Sequence, residues 1–231
     1  MEKGKLIGII GAMESEIAEI KENMTVNETV NIAGIDFTKG TFGKVNVVVA
    51  KCGVGKVFAA ACTQAMIMKF NPALIINIGV CGALSDELDL CDIVVGEKTV
   101  QYDMDTSAVG DPVGLISGIN KIYFDCDAEF IRLCEAILKE RKLNYKKGVV
   151  ATGDRFLNSR DDINRAKGEF AAISGDMESA SIGHVCFINN VPFGILRSIS
   201  DKGDEQSAKD FSKTVNKATH IIFEIVMDLF R

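Results

Sequence analysis

The sequence predicts an α/β protein, built as a three-layer αβα sandwich around a central mixed β-sheet. Short apolar runs alternate along the chain with stretches of helical periodicity, which favours this architecture. Several runs, such as Ala73–Ile78, are apolar on both faces and suit strands that are covered on both sides. Only three prolines occur and no Ser/Pro/Gly-rich linker divides the 231 residues, so we expect one domain over residues 1–231.

Eight segments have the apolar or alternating pattern of strands. The segment Ile35–Phe42 alternates and is separated from Val45–Lys51 by Gly43-Lys44 alone, which predicts a hairpin. The predicted strands are Leu6–Ile10, Ile35–Phe42, Val45–Lys51, Ala73–Gly79, Asp92–Gly96, Gly148–Thr152, Ala171–Ser174 and Phe193–Ile199.

Six segments show apolar residues at helical spacing. The helix from Lys56 ends at Asn71-Pro72, a strong breaker. The last helix carries apolar residues three and four apart, which predicts a face packed on the core. The stretch Thr99–Gly118 has little periodicity and is predicted to be a long loop. The predicted helices are Ser15–Asn23, Lys56–Phe70, Ala128–Arg141, Asp161–Lys167, Met177–Asn189 and Ser207–Phe230.

Composition excludes several classes of protein. A net charge of −6 argues against a protein that binds nucleic-acid phosphates, which needs a basic face. No apolar run reaches membrane-spanning length, and the N-terminus from Met1 to Lys5 lacks a signal-peptide layout. Seven scattered cysteines without a CxxC pair, and only two histidines, predict reduced thiols in the cytoplasm rather than a zinc site or disulfides. A mean hydropathy of +0.16 despite 25% charged residues indicates a homo-oligomer.

Acidic residues follow most of the predicted strands that end in polar segments. Ligands of α/β sheets collect beyond the carboxyl ends of the strands, so these segments are candidates for a site. Asp201 ends a strongly apolar strand, where partial desolvation raises a carboxyl pKa and suits a general acid. The segments are Gly11–Glu16, Gly79–Ala83, Gly153–Leu157, Gly175–Glu178 and Ser200–Asp201.

The inferred site combines several carboxylates with one arginine, Arg197, and one aromatic, Phe156. This combination fits a neutral or cationic ligand with hydroxyl groups, such as a nucleoside. It also fits a reaction in which positive charge develops. Cleavage of an N-glycosidic bond is such a reaction, since carboxylates stabilise an oxocarbenium-like sugar, activate water and protonate the leaving base.

Five ordered motifs resemble those of the 5′-methylthioadenosine/S-adenosylhomocysteine nucleosidases of the purine nucleoside phosphorylase superfamily. They are IGIIGAMESEI, INIGVCGAL, ATGDRF, GDMESASIGHV and LRSISD, and the resemblance runs from Lys5 to about the last helix. It implies a nucleoside phosphorylase-like sandwich and a homodimer with no metal or organic cofactor. The implied role is nucleoside catabolism and methionine salvage, with no nucleic-acid or membrane partner.

By the family pattern, Glu16 activates the attacking water and Asp201 protonates N7 of adenine, with Ser200 holding Asp201 in place. Glu178 accepts hydrogen bonds from the ribose hydroxyls, and Met177 packs against the ribose.

The same pattern implies five further roles. Phe156 lies on the adenine face, and Leu157 binds the base edge through its backbone. Gly82 lets the backbone approach the base, Arg197 braces the acidic water site, and Phe211 closes the 5′ end.

Two positions depart from the family pattern. Val80 stands where hydrolases of this family often have a small hydroxyl residue, and no aromatic lies near Val109, where relatives use one around the alkylthio group. The preference among methylthioadenosine, S-adenosylhomocysteine and 5′-deoxyadenosine therefore stays open.

Three other functions are weighed against nucleoside hydrolysis. A phosphate-dependent purine nucleoside phosphorylase needs cations for its anion, but its phosphate corner here carries Glu14 and Glu16, and the strand end has Asn77. A dinucleotide-binding oxidoreductase is suggested by the two glycines of Gly8–Gly11, yet the full GxGxxG pattern is missing. A non-catalytic nucleoside-binding module is the fourth hypothesis.

Four features have ordinary structural interpretations. Glu14 is an acid in a first helical turn, and His184 lies in an apolar helix as a core histidine. The glycine-rich stretch 51–57 lacks the spacing of a P-loop and is predicted to be a tight turn with Val54 near the ribose. Cys81 has no histidine at a motif position to activate it.

Overall fold

The computed structural model describes residues 4–158, 160–204 and 206–231, so the first three residues of the N-terminal segment Met1–Lys5 lie outside it. In the described part, the strands are β1 (Leu6–Gly11), β2 (Thr25–Ile32), β3 (Ile35–Phe42), β4 (Val45–Lys51), β5 (Leu74–Ala83), β6 (Ile93–Gln101), β7 (Tyr123–Asp125), β8 (Tyr145–Thr152), β9 (Ala172–Asp176) and β10 (Phe193–Asp201). The helices are α1 (Glu14–Glu22), α2 (Lys56–Phe70), α3 (Ala128–Arg141), α4 (Arg160–Phe170), α5 (Ser179–Ile188) and α6 (Ser207–Leu229).

All these strands join one mixed sheet, in the order β10-β6-β8-β9-β5-β1-β4-β3-β2, with β7 beside β6. Strand β10 also pairs with β5, so β5, β9, β8, β6 and β10 close into a ring from which the other strands extend. The prediction of a mixed sheet is confirmed. The closure was not predicted, because it depends on pairing between distant strands that local periodicity does not reveal.

Two helical layers cover the sheet, which confirms the αβα sandwich. Helices α2 and α5 pack on one apolar cluster, and α1, α3 and α6 pack on another. Helix α4 covers a third, smaller cluster beneath β6 and β8. Every predicted helix is present, and the predicted β3–β4 hairpin forms with Phe42 opposite Val45.

The strands differ from the predictions in several places: β8, β9 and β10 have other bounds, and the short strand β7 was not predicted. Strand β5 continues through the glycines to Ala83, because all ten of its residues are buried and bonded to neighbouring strands. Strand β6 runs to Gln101, so the first residues of the predicted loop are strand. Strand β2 was missed because both of its faces are largely exposed and give no apolar alternation.

The parallel strands β1, β5 and β10 end at the same edge of the sheet. Ile10 lies opposite Asn77, and Gly79 lies opposite Arg197. This register brings the polar segments that follow β1 and end β10 together. All seven cysteines are free, and within the described ranges no helix is long and apolar enough to cross a bilayer.

Candidate active site

A cavity of about 480 Å³ lies at this edge of the sheet. The predicted site residues that line it are Glu16, Gly82, Phe156, Leu157, Met177, Glu178, Ser200, Asp201 and Phe211. Arg197 is fully buried behind this surface and contacts it through the carboxylates. The other lining residues are Ala12, Met13, Val54, Val80, Cys81, Arg155, Gly175, Asp176 and Ala208. The expectation of a single arginine at the site is therefore wrong, because Arg155, which follows β8, also lines the cavity.

Glu16 lies in the first turn of α1, with its carboxylate folded back over the helix start. One oxygen accepts hydrogen bonds from the backbone N–H groups of Ala12 (2.6 Å) and Met13 (2.9 Å), and the other accepts from the N–H of Val80 (3.0 Å). Burial raises the pKa of Glu16, although Arg197 and these N–H groups offset part of the rise. The carboxylate is therefore fixed in place and more basic than an exposed one.

Gly79 makes room for this carboxylate. A Cβ atom there would lie 2.1 Å from Oε1 of Glu16 and 2.5 Å from Nη1 of Arg197, and the residue has φ +144°. Both the space and the backbone conformation therefore require glycine.

Arg197 sits below the cavity, among three carboxylates. Its guanidinium lies 2.8 Å from Oδ2 of Asp176, 3.5 Å from Oε2 of Glu178 and 3.7 Å from Oε1 of Glu16. It also donates to Oδ1 of Asn77 at 2.7 Å. Burial alone would lower the pKa of Arg197, but the three carboxylates raise it, so the guanidinium stays charged.

Glu178 lies between the end of β9 and the start of α5. Its Oε1 accepts a hydrogen bond from the backbone N–H of Gly55 at 2.9 Å. Burial raises the pKa of Glu178 to about 7; Arg197 opposes this rise and Asp176 adds to it. A carboxylate in this state can accept hydrogen bonds from hydroxyl groups at neutral pH and above.

Asp201 ends β10, where the pairing register with β5 shifts between Ile199 and Asp201. It accepts hydrogen bonds from the hydroxyl of Ser200 (2.8 Å) and the N–H of Gly203 (3.1 Å). Burial raises the pKa of Asp201, and these hydrogen bonds offset part of the rise. A Cβ atom on Gly82 would lie 2.9 Å from its Oδ1, so this glycine lets β5 pass close to the acid.

Apolar side chains form the rest of the cavity. Phe156 and Phe211 meet edge to face with ring centroids 6.1 Å apart. Phe156 is 42% exposed, which places it at the surface rather than in the core. Leu157 is buried over Gly175, where a Cβ atom would lie 2.3 Å from its side chain.

Several residues weighed from the sequence lie elsewhere. Glu14 pairs with Lys51 at 3.2 Å and Lys21 at 3.7 Å on the surface, as expected for an acid in a first helical turn. His184 stacks on Phe124 with ring centroids 5.0 Å apart, which agrees with a packed histidine.

Val109 is 82% exposed and does not contribute to the cavity within the described chain, whereas Val80 does. The glycine-rich turn before α2 places Val54 in the lining and the N–H of Gly55 on Glu178.

Sequence reasoning missed two polar residues beneath the site, Asp176 and Asn77. From the sequence, Asp176 is only one member of the candidate segment Gly175–Glu178, and Asn77 is only a strand end that lacks an arginine. Their position in buried strands could have identified them, because buried polar side chains need hydrogen-bond partners. The partner of both, Arg197, comes from a distant strand.

The carboxylates are held by N–H, hydroxyl and guanidinium donors. Among the described residues, no group of three or more His, Cys, Asp or Glu side chains is arranged to hold a metal ion. The arrangement can donate a proton from Asp201, accept one at Glu16 and stabilise positive charge between them.

Comparison with known proteins identifies the family of the chain. The Phosphorylase superfamily model matches residues 6–231. A 5′-methylthioadenosine/S-adenosylhomocysteine nucleosidase of Oceanobacillus iheyensis is 33% identical over 226 residues, which cover 97% of this chain and 98% of the relative. An aminodeoxyfutalosine nucleosidase of Helicobacter pylori is 35% identical over 215 residues, 93% of each protein.

Solved structures show the same fold. A mutant of the Helicobacter pylori MTAN with 5′-methylthioadenosine in the active site superposes with a TM-score of 0.94 at 33% identity, over 98% of each chain. The futalosine hydrolase of the same organism superposes with a TM-score of 0.93 at 32% identity, over 97% of each chain. The chain therefore belongs to the phosphorylase superfamily and, within it, to the N-glycosyl hydrolases known as 5′-methylthioadenosine/S-adenosylhomocysteine nucleosidases.

Proposed function

We propose that this enzyme hydrolyses the N-glycosidic bond of 5′-modified adenosines and releases adenine and a free ribosyl sugar. The observation that carries the proposal is the charge of the cavity. Four acidic residues, Glu16, Asp176, Glu178 and Asp201, line it against one lining arginine, Arg155, while the guanidinium of Arg197 behind them is already matched by acids. Such a lining stabilises a sugar that becomes positive as its bond to the base breaks.

Asp201 and Glu16 divide the proton transfers. Asp201 holds a proton to higher pH than an exposed aspartate and delivers it to N7 of adenine, so that the base leaves as a neutral molecule. Glu16, fixed by three N–H groups, takes a proton from the attacking water. Burial makes both transfers easier, because a desolvated carboxylate is a better base and its acid form persists to higher pH than that of an exposed carboxyl.

The remaining predicted residues bind the nucleoside. Glu178 accepts hydrogen bonds from the ribose hydroxyls, and Met177 packs against the sugar. Phe156 covers the adenine face, and Phe211 closes the 5′ end.

Backbone and hydroxyl groups complete these contacts. Leu157 binds the base edge through its backbone, Gly82 lets β5 approach the base, and Ser200 orients Asp201 through the 2.8 Å hydrogen bond.

A phosphate nucleophile is disfavoured by the same charges. Two unit charges about 4 Å apart at an effective dielectric constant of about 20 attract or repel by about 4 kcal/mol. Phosphate near ionised Glu16 meets that repulsion, and Arg197 is shared with Asp176 and Glu178. Water carries no charge and avoids the penalty.

Product analysis tests the proposal. Purified enzyme is incubated with 5′-methylthioadenosine, S-adenosylhomocysteine, 5′-deoxyadenosine and aminodeoxyfutalosine. Inosine is the control nucleoside with a different base, and each reaction is run with and without phosphate. We expect adenine and a free sugar at a rate that phosphate does not change. A pentose 1-phosphate product, or no turnover of any adenosine, would contradict hydrolysis.

We further infer a homodimer in the cytoplasm. Helices α2 and α5, joined by hydrogen bonds between Gln64 and Asn189, expose an apolar face that includes Val57 and Phe58. Exposed apolar surface of this kind favours association. Seven free cysteines suit a reducing compartment.

A further inference from the structure

Asp176 is the best-connected acid beneath the cavity, although neither proton transfer uses it. It ends β9, and its side chain is 1% exposed. Its Oδ1 accepts hydrogen bonds from the hydroxyl of Thr152 at 2.6 Å and from the N–H groups of Ser179 (3.2 Å) and Glu178 (3.3 Å). Its Oδ2 accepts from the hydroxyl of Ser179 and pairs with Arg197. One side chain thus joins β8, β9, β10 and the start of α5.

The three acids around Arg197 are not equivalent. The contact with Asp176 is 2.8 Å, whereas those with Glu178 and Glu16 are 3.5 and 3.7 Å. Asn77 holds the same Nη2 atom at 2.7 Å and is itself anchored by donating to the carbonyl of Ile10 at 3.0 Å. Asp176 and Asn77 therefore hold the guanidinium at shorter distances than Glu178 and Glu16 do.

We propose that Asp176 is a positioning residue that acts through Arg197: it takes the closest ion pair with the guanidinium and so leaves Glu16 and Glu178 only partly neutralised. Glu16 then remains basic enough to take a proton from water, and Glu178 remains able to accept hydrogen bonds from the ribose hydroxyls. This proposal rests on the proposed function, because it explains how Glu16 and Glu178 keep the negative charge that the proposed hydrolysis requires.

The charged and titratable groups near Asp176 come from several elements. Arg197 and Asp201 belong to β10, Cys81 to β5 and Glu16 to α1, and Glu178 follows β9. The thiol of Cys52, after β4, faces Glu178 and Glu16. Burial raises the pKa of both cysteines well above neutrality, so only the acids change charge near neutral pH, beside the constant positive charge of Arg197.

The substitution Asp176→Asn tests the proposal, because it keeps the shape and removes the charge. Arg197 then pairs more strongly with Glu16 and Glu178, and a like charge beside Glu178 is lost. We expect the acid limb of kcat/KM against pH to move down by about half to one pH unit. We also expect kcat on the plateau to fall about 3- to 10-fold, because a weaker base accepts the proton less readily.

A second readout does not depend on turnover. NMR titration of isotope-labelled glutamate carboxyls follows Glu178 directly, and we expect its midpoint to move down with the acid limb. A shifted midpoint in an enzyme that cleaves no nucleoside would support the role of Asp176 and contradict only the proposed function.

Two further variants separate charge from structure. Thr152→Val removes a hydrogen bond to Asp176 but keeps the charge, so the acid limb should stay in place even if the melting temperature falls. Asp176→Glu also keeps the charge, so its acid limb of kcat/KM should lie at the same pH as that of the wild type. This variant provides the test if Asp176→Asn does not fold. The proposal is overturned if folded Asp176→Asn shows neither a shifted acid limb of kcat/KM nor a shifted titration midpoint of Glu178. It is also overturned if the acid limb moves in Asp176→Glu.

Discussion

Glu178 reduces the stability of the fold whenever it is ionised. Its pKa rises from an ordinary value of 4.5 to about 7 on folding, because burial outweighs the attraction of Arg197. Between these pH values the folded chain keeps a proton that the unfolded chain has released. Stability therefore falls as pH rises through this window, and above pH 7 the ionised group costs up to about 3 kcal/mol.

Replacement of this acid should stabilise the protein at high pH only. For Glu178→Gln we expect the free energy of unfolding at pH 8 to rise by up to about 3 kcal/mol, and to match the wild type near pH 5, where Glu178 is protonated. Denaturant unfolding at the two pH values measures the difference. Equal stabilities at both pH values would show that the ionised carboxylate carries no cost.

Asp201 carries the proposed proton donation, so its loss should affect turnover more than binding. We expect Asp201→Asn to lower kcat by roughly 10²–10⁴-fold, which is the usual contribution of a positioned general acid. Binding of a non-hydrolysable adenosine analogue, measured by calorimetry, should persist. Near-normal turnover in this variant would remove Asp201 from the mechanism.

At the scale of elements, strand β5 decides how closely the acids approach one another. Its glycines at 79 and 82 leave space that Glu16 and Asp201 occupy, from α1 and β10 respectively. A side chain at either position would push a carboxylate out of place. The strand is thus part of the site without contributing a charged group to it.

Gly79→Ala should damage both stability and activity. We expect a loss of roughly 2–4 kcal/mol, because the substitution combines an unfavourable φ with overlap against Glu16 and Arg197. Chemical denaturation and adenine release measure the two effects. Gly118→Ala is the matched control, since a Cβ atom there meets nothing within 4 Å. Similar behaviour of the two variants would refute the steric argument.

The sequence was most informative where signals are local. All six helices have apolar stripes or end signals, and the site residues that follow strands lie together because parallel strands end at one edge. The interpretation failed where the signal depends on distant partners. Helix α5 begins at Ser179 rather than Met177, since Met177 and Glu178 turn toward the cavity. The roles of Asp176 and Asn77 could not be predicted, because both depend on contacts with Arg197 from β10.

At the scale of the whole molecule, the exposed apolar face of α2 and α5 is the feature that a single chain leaves unexplained. Val57, Phe58 and Met68 on α2 are 81%, 57% and 79% exposed, and Phe187 and Ile188 on α5 extend the surface. A second copy of the chain is the occupant that the resemblance to a homodimeric family implies.

An aspartate on this face should separate the subunits. We expect Val57→Asp to shift the protein from dimer to monomer in size-exclusion chromatography with light scattering, because a charge cannot be buried there unpaired. Val26→Asp is the control, since Val26 is also exposed, at 50%, but lies on β2 at the far end of the sheet. A wild-type protein that runs as a monomer would contradict the inference directly.

The closed ring of strands has a consequence for how ligands enter and leave. Strand β10 is bonded to β5 on one side and to β6 on the other, so the backbone that carries Arg197 cannot loosen without opening the ring. Phe156 and Phe211 meet edge to face and lie on segments outside the sheet. We therefore expect the cavity to open at its aromatic rim, while the acids below keep their spacing.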